Sequence, residues 1–418
     1  MRAPHRPVRP GTGTSLHIGT RGVGRVSAAQ LLRFGAVQLD PRRNGLNLIR
    51  LLLAVTVLVA HGWYLSGHGV GPHFAGQNAG TWAVYGFFLI SGYLITASRL
   101  TRPIGEYAVH RIARIFPAFL VCLVVTAFAI APVGYVATHR TLRGFMTTAT
   151  TPLQYVIGNA TLHISAYDVA GTPAGVPHLG AWDGSLWSLY YEFLCYVLIG
   201  VLASFGVVRR HVAAIGVAFL ASVALQMRIG ALTPYLQGNV DLVYLANLLP
   251  FFLAGSLLYL LRRRVVLTWP LALLAGASAL ALAHARPAWG PHLAAPLMAY
   301  TVLWLGAAIP CPELIRRNDI SYGFYIYAFP VQQLLAYGGA PHWNLAVYDL
   351  VAAAATTPLA VTSWLLVERP VMRRARRSTS RPPADVVAVV PLQRAAASHV
   401  ALATQPGGAQ PTGTSPTA

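Results

Sequence analysis

The amino-acid sequence predicts an all-α fold, a polytopic integral membrane helix bundle with about ten transmembrane helices. Of its 418 residues, 55% are hydrophobic and 10% are charged, and the mean hydropathy is +0.54. A soluble chain of this length does not sustain such values. Apolar stretches of bilayer-spanning length recur along the chain. Arginines are dense in alternate connections between them, as expected for loops on the two sides of a membrane.

Ten apolar stretches define the predicted spans. They lie at residues 46–65, 80–98, 116–136, 186–206, 212–229, 240–261, 265–284, 292–309, 320–338 and 345–367. The weakest are 212–229, which is short, and 320–338, which Ser, Gly and Tyr dilute. We expect a disordered basic cytosolic tail at 1–43, a membrane domain at 44–370 and a disordered cytosolic tail at 371–418. No apolar run precedes the first span, so no cleavable signal peptide is expected.

The distribution of arginine predicts the orientation of the bundle. All 31 basic residues are arginine. With ten spans and both termini in the cytosol, 27 of them lie on the cytosolic side, and only Arg140, Arg143, Arg228 and Arg286 lie outside. This asymmetry predicts a multi-pass protein of the cell's inner membrane, with the lipid bilayer as a partner. It also explains the net charge of +20 without nucleic acid as a partner.

The first span carries two ionisable side chains, Arg50 and His61. They are eleven positions apart, so they share one helix face and are separated by roughly 16 Å along the axis. An ionisable group inside a span is costly and indicates a functional site. The alternative is that Arg50 extends to the membrane surface and His61 caps the interface.

A polar stripe enters the fourth span. Ser185, Ser188 and Glu192 recur at i, i+3 and i+7, with Trp187 among the surrounding aromatic residues. A glutamate two turns into a span requires a partner, and His61, predicted at the same depth, is the leading candidate. A carboxylate beside an imidazole fixes its tautomer and raises its basicity, which is the start of a general-base site.

Two further stretches carry polar chemistry. Arg111 and Arg114, three positions apart before the third span, project to one side of a helix turn, where two guanidiniums can hold a phosphate. The alternative is a positive cluster that binds lipid head groups. In the second span, Ser91 and Tyr93 offer hydroxyl groups, although close helix packing also explains the Ser91-Gly92 pair.

The remaining signals argue against metal and disulfide chemistry. The longest connection, residues 137–185, is predicted to lie outside and to be functional because of its length. Many histidines are predicted at or beyond the outer surface of the membrane. None of them has the tight spacing of a ligand pair on one helix, so no metal site is expected. Cys122, Cys195 and Cys311 fall in spans or at the inner face, so no disulfide is implied.

Six short motifs, in one order from about Asn44 to Pro370, together resemble the acyltransferase 3 family of integral membrane proteins. They are Arg50 with His61 after ten intervening residues, Phe87-Phe-Leu-Ile-Ser91-Gly-Tyr93, Arg111-x-x-Arg114-Ile-x-Pro117, Gly184-Ser-Leu-Trp187-Ser-x-x-x-Glu192, Ser321-Tyr322 and Glu368-Arg369-Pro370. The resemblance implies about ten helices and transfer of acyl groups, commonly acetyl from acetyl-CoA, to hydroxyl groups of carbohydrates such as O-antigen or exopolysaccharide. Some members acylate macrolides.

Carried over to these positions, the resemblance makes His61 the catalytic histidine, with Arg50 as its motif partner. Glu192 joins the predicted catalytic set as the carboxylate of the polar stripe. The resemblance associates Arg111 and Arg114 with the donor. Tyr93 is the third residue that we assign to the donor site. The other polar candidates are Ser91, Ser185, Trp187, Ser188 and Tyr322. Many members also have a histidine in a Tyr-x-x-His-x-Pro stretch, where this sequence has Ala328. A mechanism that requires this second histidine is therefore in doubt.

The residues and the resemblance together predict a membrane O-acyltransferase that moves an acyl group from cytosolic acyl-CoA to a carbohydrate or glycolipid hydroxyl. Acyl-CoA is then a substrate, and no bound cofactor is expected. His61 either deprotonates the acceptor directly or carries the acyl group covalently. The alternatives are a transporter or flippase for a glycolipid or polysaccharide that makes no bond, and an enzyme that acylates a macrolide-type small molecule. No second acyl-transfer domain is expected after the last span.

Overall fold

A computed structural model describes residues 35–41, 43–206, 211–237, 239–339 and 342–379. In this part of the chain nearly all regular structure is helical, so the protein has the predicted all-α membrane architecture. The helices are α1 (Leu46–Leu65), α2 (Ala79–Thr101), α3 (Ile104–Val125), α4 (Ala131–His139), α5 (Pro152–Asn159), α6 (Trp187–Leu202), α7 (Val212–Leu232), α8 (Val240–Leu261), α9 (Trp269–Ala285), α10 (Gly290–Leu293), α11 (Ala295–Ala308), α12 (Glu313–Arg317), α13 (Ser321–Tyr337), α14 (Leu345–Ser363) and α15 (Arg369–Thr379).

Short elements complete this list. π-helical turns at Thr126–Ile130 and Trp364–Glu368 join α3 to α4 and α14 to α15, and a 3₁₀ turn, Thr233–Leu236, follows α7. Two small antiparallel ribbons pair β1 (Ala36–Val37) with β4 (Leu267–Thr268), Ala36 opposite Thr268, and β2 (His73–Phe74) with β3 (Gln77–Asn78), His73 opposite Asn78.

Each of the ten predicted spans coincides with a helix. Among the described residues, six helical segments are long and apolar enough to cross a membrane, and α6, α9 and α11 are shorter apolar helices. The tenth predicted span corresponds to the first part of one of these segments, and the ninth to α13. The first span was predicted with its observed bounds. The third helix begins at Ile104 rather than at residue 116, because its arginines are accommodated against the bundle and hydropathy alone misses them.

The structure describes only the inner edges of the two predicted tails. Ala36–Val37 form a strand, and the last helix continues without a break past residue 371 to Thr379. The rest of both tails lies outside the described residues.

Glycine permits the closest helix contact, between α2 and α8. A Cβ added to Gly92 would lie 1.9 Å from the Phe252 carbonyl oxygen, and one added to Gly255 would lie 2.0 Å from that of Leu89. Only residues without a side chain allow such approach. The packing interpretation of the Ser91-Gly92 pair is thus confirmed for Gly92.

Helix α13 occupies the centre of the bundle, because nearly all of its residues are buried and α1, α3 and α14 pack against it. We call the end that carries α12 and α15 the basic end. The opposite end is the loop end, where residues 140–186 form a folded cap. Trp182 and Tyr155 are fully buried in this cap, and the Asn159 side chain bonds the backbone of Ser165 and Ala166.

Candidate functional site

A cleft of about 600 Å³ opens at the basic end. We call it the basic cleft; arginines from α3, α12 and α15 and the segments beside them dominate its wall. It is lined by Arg102, His110, Arg111, Arg114, Arg316, Arg317, Arg369, Arg373 and Arg376, together with Asn47, Ala113, Asp319, Trp364, Met372 and Ala375. Such a wall attracts phosphate and other anions.

Four charged side chains from different helices form an ion network beneath this cleft. Asp319, just before α13, pairs with Arg50 of α1, and its Oδ2 lies 2.7 Å from Nη2 of Arg114. Glu368, which is 1% exposed, accepts a hydrogen bond of 3.1 Å from Nη1 of Arg114. Burial raises the pKa of Asp319, but the two guanidiniums and Ser321 outweigh it and lower the pKa to about 2. Asp319 therefore stays ionised near neutral pH, whereas burial raises the pKa of Glu368 to about 7.

The predicted pair Arg111 and Arg114 faces one cleft, but the two residues are not equivalent. Both ends of the Arg114 guanidinium are occupied by carboxylates. Arg111 has its Cζ 6.0 Å and 5.9 Å from the ring centres of Tyr107 and Tyr196, and its buried Nε has no hydrogen-bond partner in the described chain. A fork formed by both residues is therefore not preassembled, and Arg111 is the member without a carboxylate partner.

A polar cavity of about 30 Å³ lies deeper in the bundle, at a volume near that of one water molecule. Its wall includes the predicted site residues Arg50, Ser188, Glu192 and Tyr322. Tyr325 connects the cavity to α6, because its hydroxyl lies 2.6 Å from Ser188 Oγ. The same hydroxyl donates to the Ser185 carbonyl at 2.8 Å, so the predicted polar stripe meets α13.

The predicted pairing of Glu192 with His61 is wrong. Oε1 of Glu192 accepts hydrogen bonds from Ser91 at 2.5 Å and from Tyr196 at 2.7 Å. Ser91 lies in the middle of α2, so Glu192 is level with the middle of that helix, whereas His61 lies near the C-terminal end of α1. Glu192 belongs to the central cavity.

His61 lies in an aromatic cluster at the loop end. Its ring centre is 5.1 Å from Phe329 and 5.6 Å from Tyr64, and both of these rings also contact His178 of the cap, at 5.9 Å and 5.1 Å. The buried Nδ1 of His61 has no hydrogen-bond partner within the described residues. Arg50 thus contacts Asp319 at the start of α13, and His61 contacts Phe329 in the middle of the same helix, which confirms their predicted shared face.

The structure separates two candidates from the rest. Tyr93 packs edge-on against Tyr259 and lines another cleft, beside Arg262 and Arg263, so it does not meet Arg111 and Arg114. Its assignment to their donor site is not supported by the geometry. Trp187 packs on Tyr191 and Tyr244 outside the cavity wall, and it supports α6 against α8.

Sequence reasoning missed four residues. Asp319 and Glu368 were not assigned to Arg50 and Arg114, although two carboxylates adjoining predicted spans at the arginine-rich side were a usable signal. Tyr325 was visible only as one tyrosine of several in its helix. Nothing in the sequence links His178 to His61, since the contact depends on the fold of the cap.

The bundle and its polar interior define a multi-pass helical membrane protein with a basic cleft at one end and a half-buried imidazole near the other. The family model described as an acyltransferase domain, that of the acyltransferase 3 family, matches residues 43–365, and the chain belongs to this family. The protein is a membrane O-acyltransferase of the O-acetyltransferase type.

Two relatives extend over most of the chain. Nodulation protein 10 of Rhizobium leguminosarum bv. viciae is 28% identical over 367 residues, which cover 79% of this chain and 94% of the relative. An O-acetyl transferase of Shigella phage Sf6 is 28% identical over 347 residues, which cover 80% of this chain and 97% of the relative. No solved structure matches the chain.

Proposed function

We propose that the protein transfers an acyl group, in the first instance acetyl, from cytosolic acyl-CoA to a hydroxyl group of a carbohydrate or glycolipid at the loop end. The observation that carries this proposal is the placement of an arginine-rich cleft and a half-buried histidine along one central helix. The similarity to an O-acetyl transferase supports acetyl as the group transferred.

The basic cleft suits the nucleotide part of the donor. Its volume of about 600 Å³ lies within the range of small-molecule sites. Arg111 offers a guanidinium without a carboxylate partner, and guanidiniums bind phosphate by charge-assisted, bidentate hydrogen bonds. The pantetheine arm would enter past the ion network and extend along α13. The roughly 16 Å of α1 between Arg50 and His61 matches an extended arm.

His61 would handle the proton or the acyl group. In direct transfer, the acceptor oxygen forms a bond to the thioester carbon, the C–S bond breaks, and an imidazole nitrogen passes the hydroxyl proton to the leaving thiolate. In the two-step route, an imidazole nitrogen bonds to the acyl carbon as the C–S bond breaks, and the leaving thiolate takes the proton of the other ring nitrogen. The acceptor oxygen then bonds to the acyl carbon as the N–C bond breaks, and its hydroxyl proton returns to the imidazole. The rings of Tyr64 and Phe329 cover part of the imidazole, which would limit the access of water and favour transfer over hydrolysis.

Glu192 would position groups along this path rather than activate His61. It accepts hydrogen bonds from the hydroxyls of Ser91 and Tyr196, and it lines the cavity between the basic cleft and the loop end. Arg50 borders the same cavity while it pairs with Asp319. These side chains form the polar wall that an incoming thioester arm would follow.

This mechanism requires the basic end to face the cytosol in the inner membrane, with both termini on that side. Reporter fusions after Gly144, in the cap, and after Arg377, in α15, are expected to report the outside and the cytosol respectively. The same side for both fusions would exclude the proposed topology, and with it a cytosolic donor that reaches an acceptor outside.

Replacement of His61 by alanine tests the function. Loss of a general base lowers rates by roughly 10²–10⁴-fold, and loss of a covalent carrier abolishes transfer. The measurement is incorporation of radiolabelled acetyl from acetyl-CoA into the glycan and lipid fractions of membranes from the producing cell. His163→Ala, which removes a half-exposed histidine of the cap, serves as the control. Undiminished incorporation by a folded His61→Ala protein would refute the catalytic role.

A further inference from the structure

We propose that α15 forms one wall of the donor site, with Arg369 and Arg373 binding the phosphate groups of the CoA moiety. This inference rests on the proposed acyl-CoA donor and names a part of its site beyond Arg111 and Arg114. Helix α15 follows the range that the family model matches, residues 43–365.

The arginines of α15 fall on two different faces. Arg369, Arg373 and Arg376 are spaced at i, i+4 and i+7, and all three line the basic cleft. Arg374 and Arg377 lie on another side of the helix and do not line it. The orientation of the helix therefore decides which arginines can reach a ligand in the cleft and which face away from it.

Contacts with α3 hold this orientation. Met372 Sδ lies 3.9 Å from Nη1 of Arg114, Ala375 is 8% exposed, and Thr379 Oγ1 lies 3.2 Å from Nε2 of His110. These three α15 residues recur at i, i+3 and i+7, which is a helix-packing face next to the cleft-facing arginines. At its start, α15 is fixed by Glu368, whose carboxylate pairs with Arg114. The arginine wall is therefore a built part of the bundle.

The charge balance of the cleft calls for an anion. Among the described residues that line the cleft, Asp319 is the only one with a carboxylate, and it already pairs with Arg50 and Arg114. Neither Arg369 nor Arg373 forms an ion pair with any described residue. Guanidiniums held near one another repel each other. A bound phosphate offsets this repulsion with its negative charge, and it accepts bidentate hydrogen bonds. CoA carries a diphosphate and a separate 3′-phosphate, which match a wall of several guanidiniums.

A phospholipid head group presents the same phosphate chemistry to a basic helix at a membrane surface. The two sources differ in what they require of the helix. A head group is reached by any exposed arginine of α15, whereas a nucleotide in the cleft is reached only by the cleft-facing set. Arg373 and Arg374 are neighbours, are both exposed, and differ in face, so they form a matched pair for the experiment.

The experiment titrates CoA into the purified full-length protein in nanodiscs of zwitterionic lipid, by calorimetry. Arg373→Ala is expected to weaken CoA binding about 10-fold, because one charge-assisted hydrogen-bonding partner of phosphate contributes on that scale. Arg374→Ala is expected to change it less than about twofold. Arg369→Gln provides a second cleft-facing variant, and a thermal unfolding scan verifies that each variant is folded. Dephospho-CoA, which lacks the 3′-phosphate, shows which phosphate Arg373 contacts.

Equal CoA affinities of Arg373→Ala, Arg369→Gln and wild type would overturn the assignment of α15. The proposed function would survive that result if Arg111→Ala still weakened CoA binding. An absence of CoA binding by the wild-type protein would overturn both. In a second arm, nanodiscs with phosphatidylglycerol are compared by thermal stability. Equal losses of lipid-dependent stabilisation in Arg373→Ala and Arg374→Ala, with CoA affinity unchanged, would identify the lipid surface as the phosphate source and overturn the donor wall.

Discussion

The two ends of the bundle differ in whether their buried polar groups have partners. At the basic end, charges are numerous and the buried ones compensate each other: Asp319 and Glu368 pair with Arg50 and Arg114 under an open cleft. At the loop end the surroundings are aromatic. There, buried atoms such as His61 Nδ1 and the side-chain carbonyl oxygens of Gln332 and Gln333 have no hydrogen-bond partner in the described part of the chain.

This difference separates structural from chemical roles. A buried ion network resists change, because loss of one member leaves a charge without compensation. An imidazole enclosed by Phe329 and Tyr64 is held in place by packing, while its nitrogens are kept for other partners. A motif arginine such as Arg114 can therefore matter for activity through the fold, whereas His61 would matter through chemistry.

The largest effect on stability is expected for Asp319→Asn, which leaves Arg50 and Arg114 without their shared carboxylate. Removal of one partner from a buried pair costs about 3–5 kcal/mol, to be measured by thermal unfolding in detergent. Because the pKa of Asp319 is held near 2 in the folded protein, below its ordinary value, this carboxylate stabilises the fold above about pH 4. The stabilisation is lost as the pH falls toward 2.

Glu313→Gln is the matched control, since its ion pairs with Arg316 and Arg317 involve a carboxylate that is 58% exposed. Exposed pairs contribute about 0–1 kcal/mol. Equal destabilisation by the two substitutions would show that the buried network has no special structural role.

A smaller effect is expected at Glu192. Glu192→Ala leaves the hydroxyls of Ser91 and Tyr196 without their acceptor, which costs about 1–3 kcal/mol for a buried donor. Glu192→Gln retains a side-chain oxygen that accepts from both, so its unfolding temperature should lie closer to wild type. If Gln destabilises as much as Ala, the negative charge of Glu192, and not the acceptor, holds the cavity together.

The smallest of these effects is expected for His178→Ala. This change removes a ring that packs on Tyr64 and Phe329 beside His61, and burial lowers the pKa of His178, so a neutral ring is lost. Acetyl incorporation should fall about 10-fold, the size of a loss of roughly 1.4 kcal/mol in positioning, while CoA affinity stays constant. Weakened CoA binding in this variant would show that the two ends are not independent. His139→Ala, at the edge of the cap, is the control.

The sequence predicts the fold further than it predicts the site. The helix α1 and the common face of Arg50 and His61 follow from hydropathy and from a period of 3.6 residues, which are local properties. The partner of Glu192 depends on the relative depth of α6 and the helices beside it, and this depth does not follow from the spacing within one helix. Asp319 meets Arg50 across 269 positions of the chain, so neither propensity nor spacing indicates the contact.

The π-helical turn Trp364–Glu368 sets the rotational phase of everything that follows it. An α-helix rotates by about 100° per residue, so deletion of one residue from this turn would rotate α15 by that angle relative to α14. Its outward arginines would move toward the cleft and Arg373 away from it, with the composition of the helix unchanged. A change of one residue in the length of this junction therefore turns every later side chain of α15 in a different direction. It disturbs the basic end as much as the loss of an arginine would.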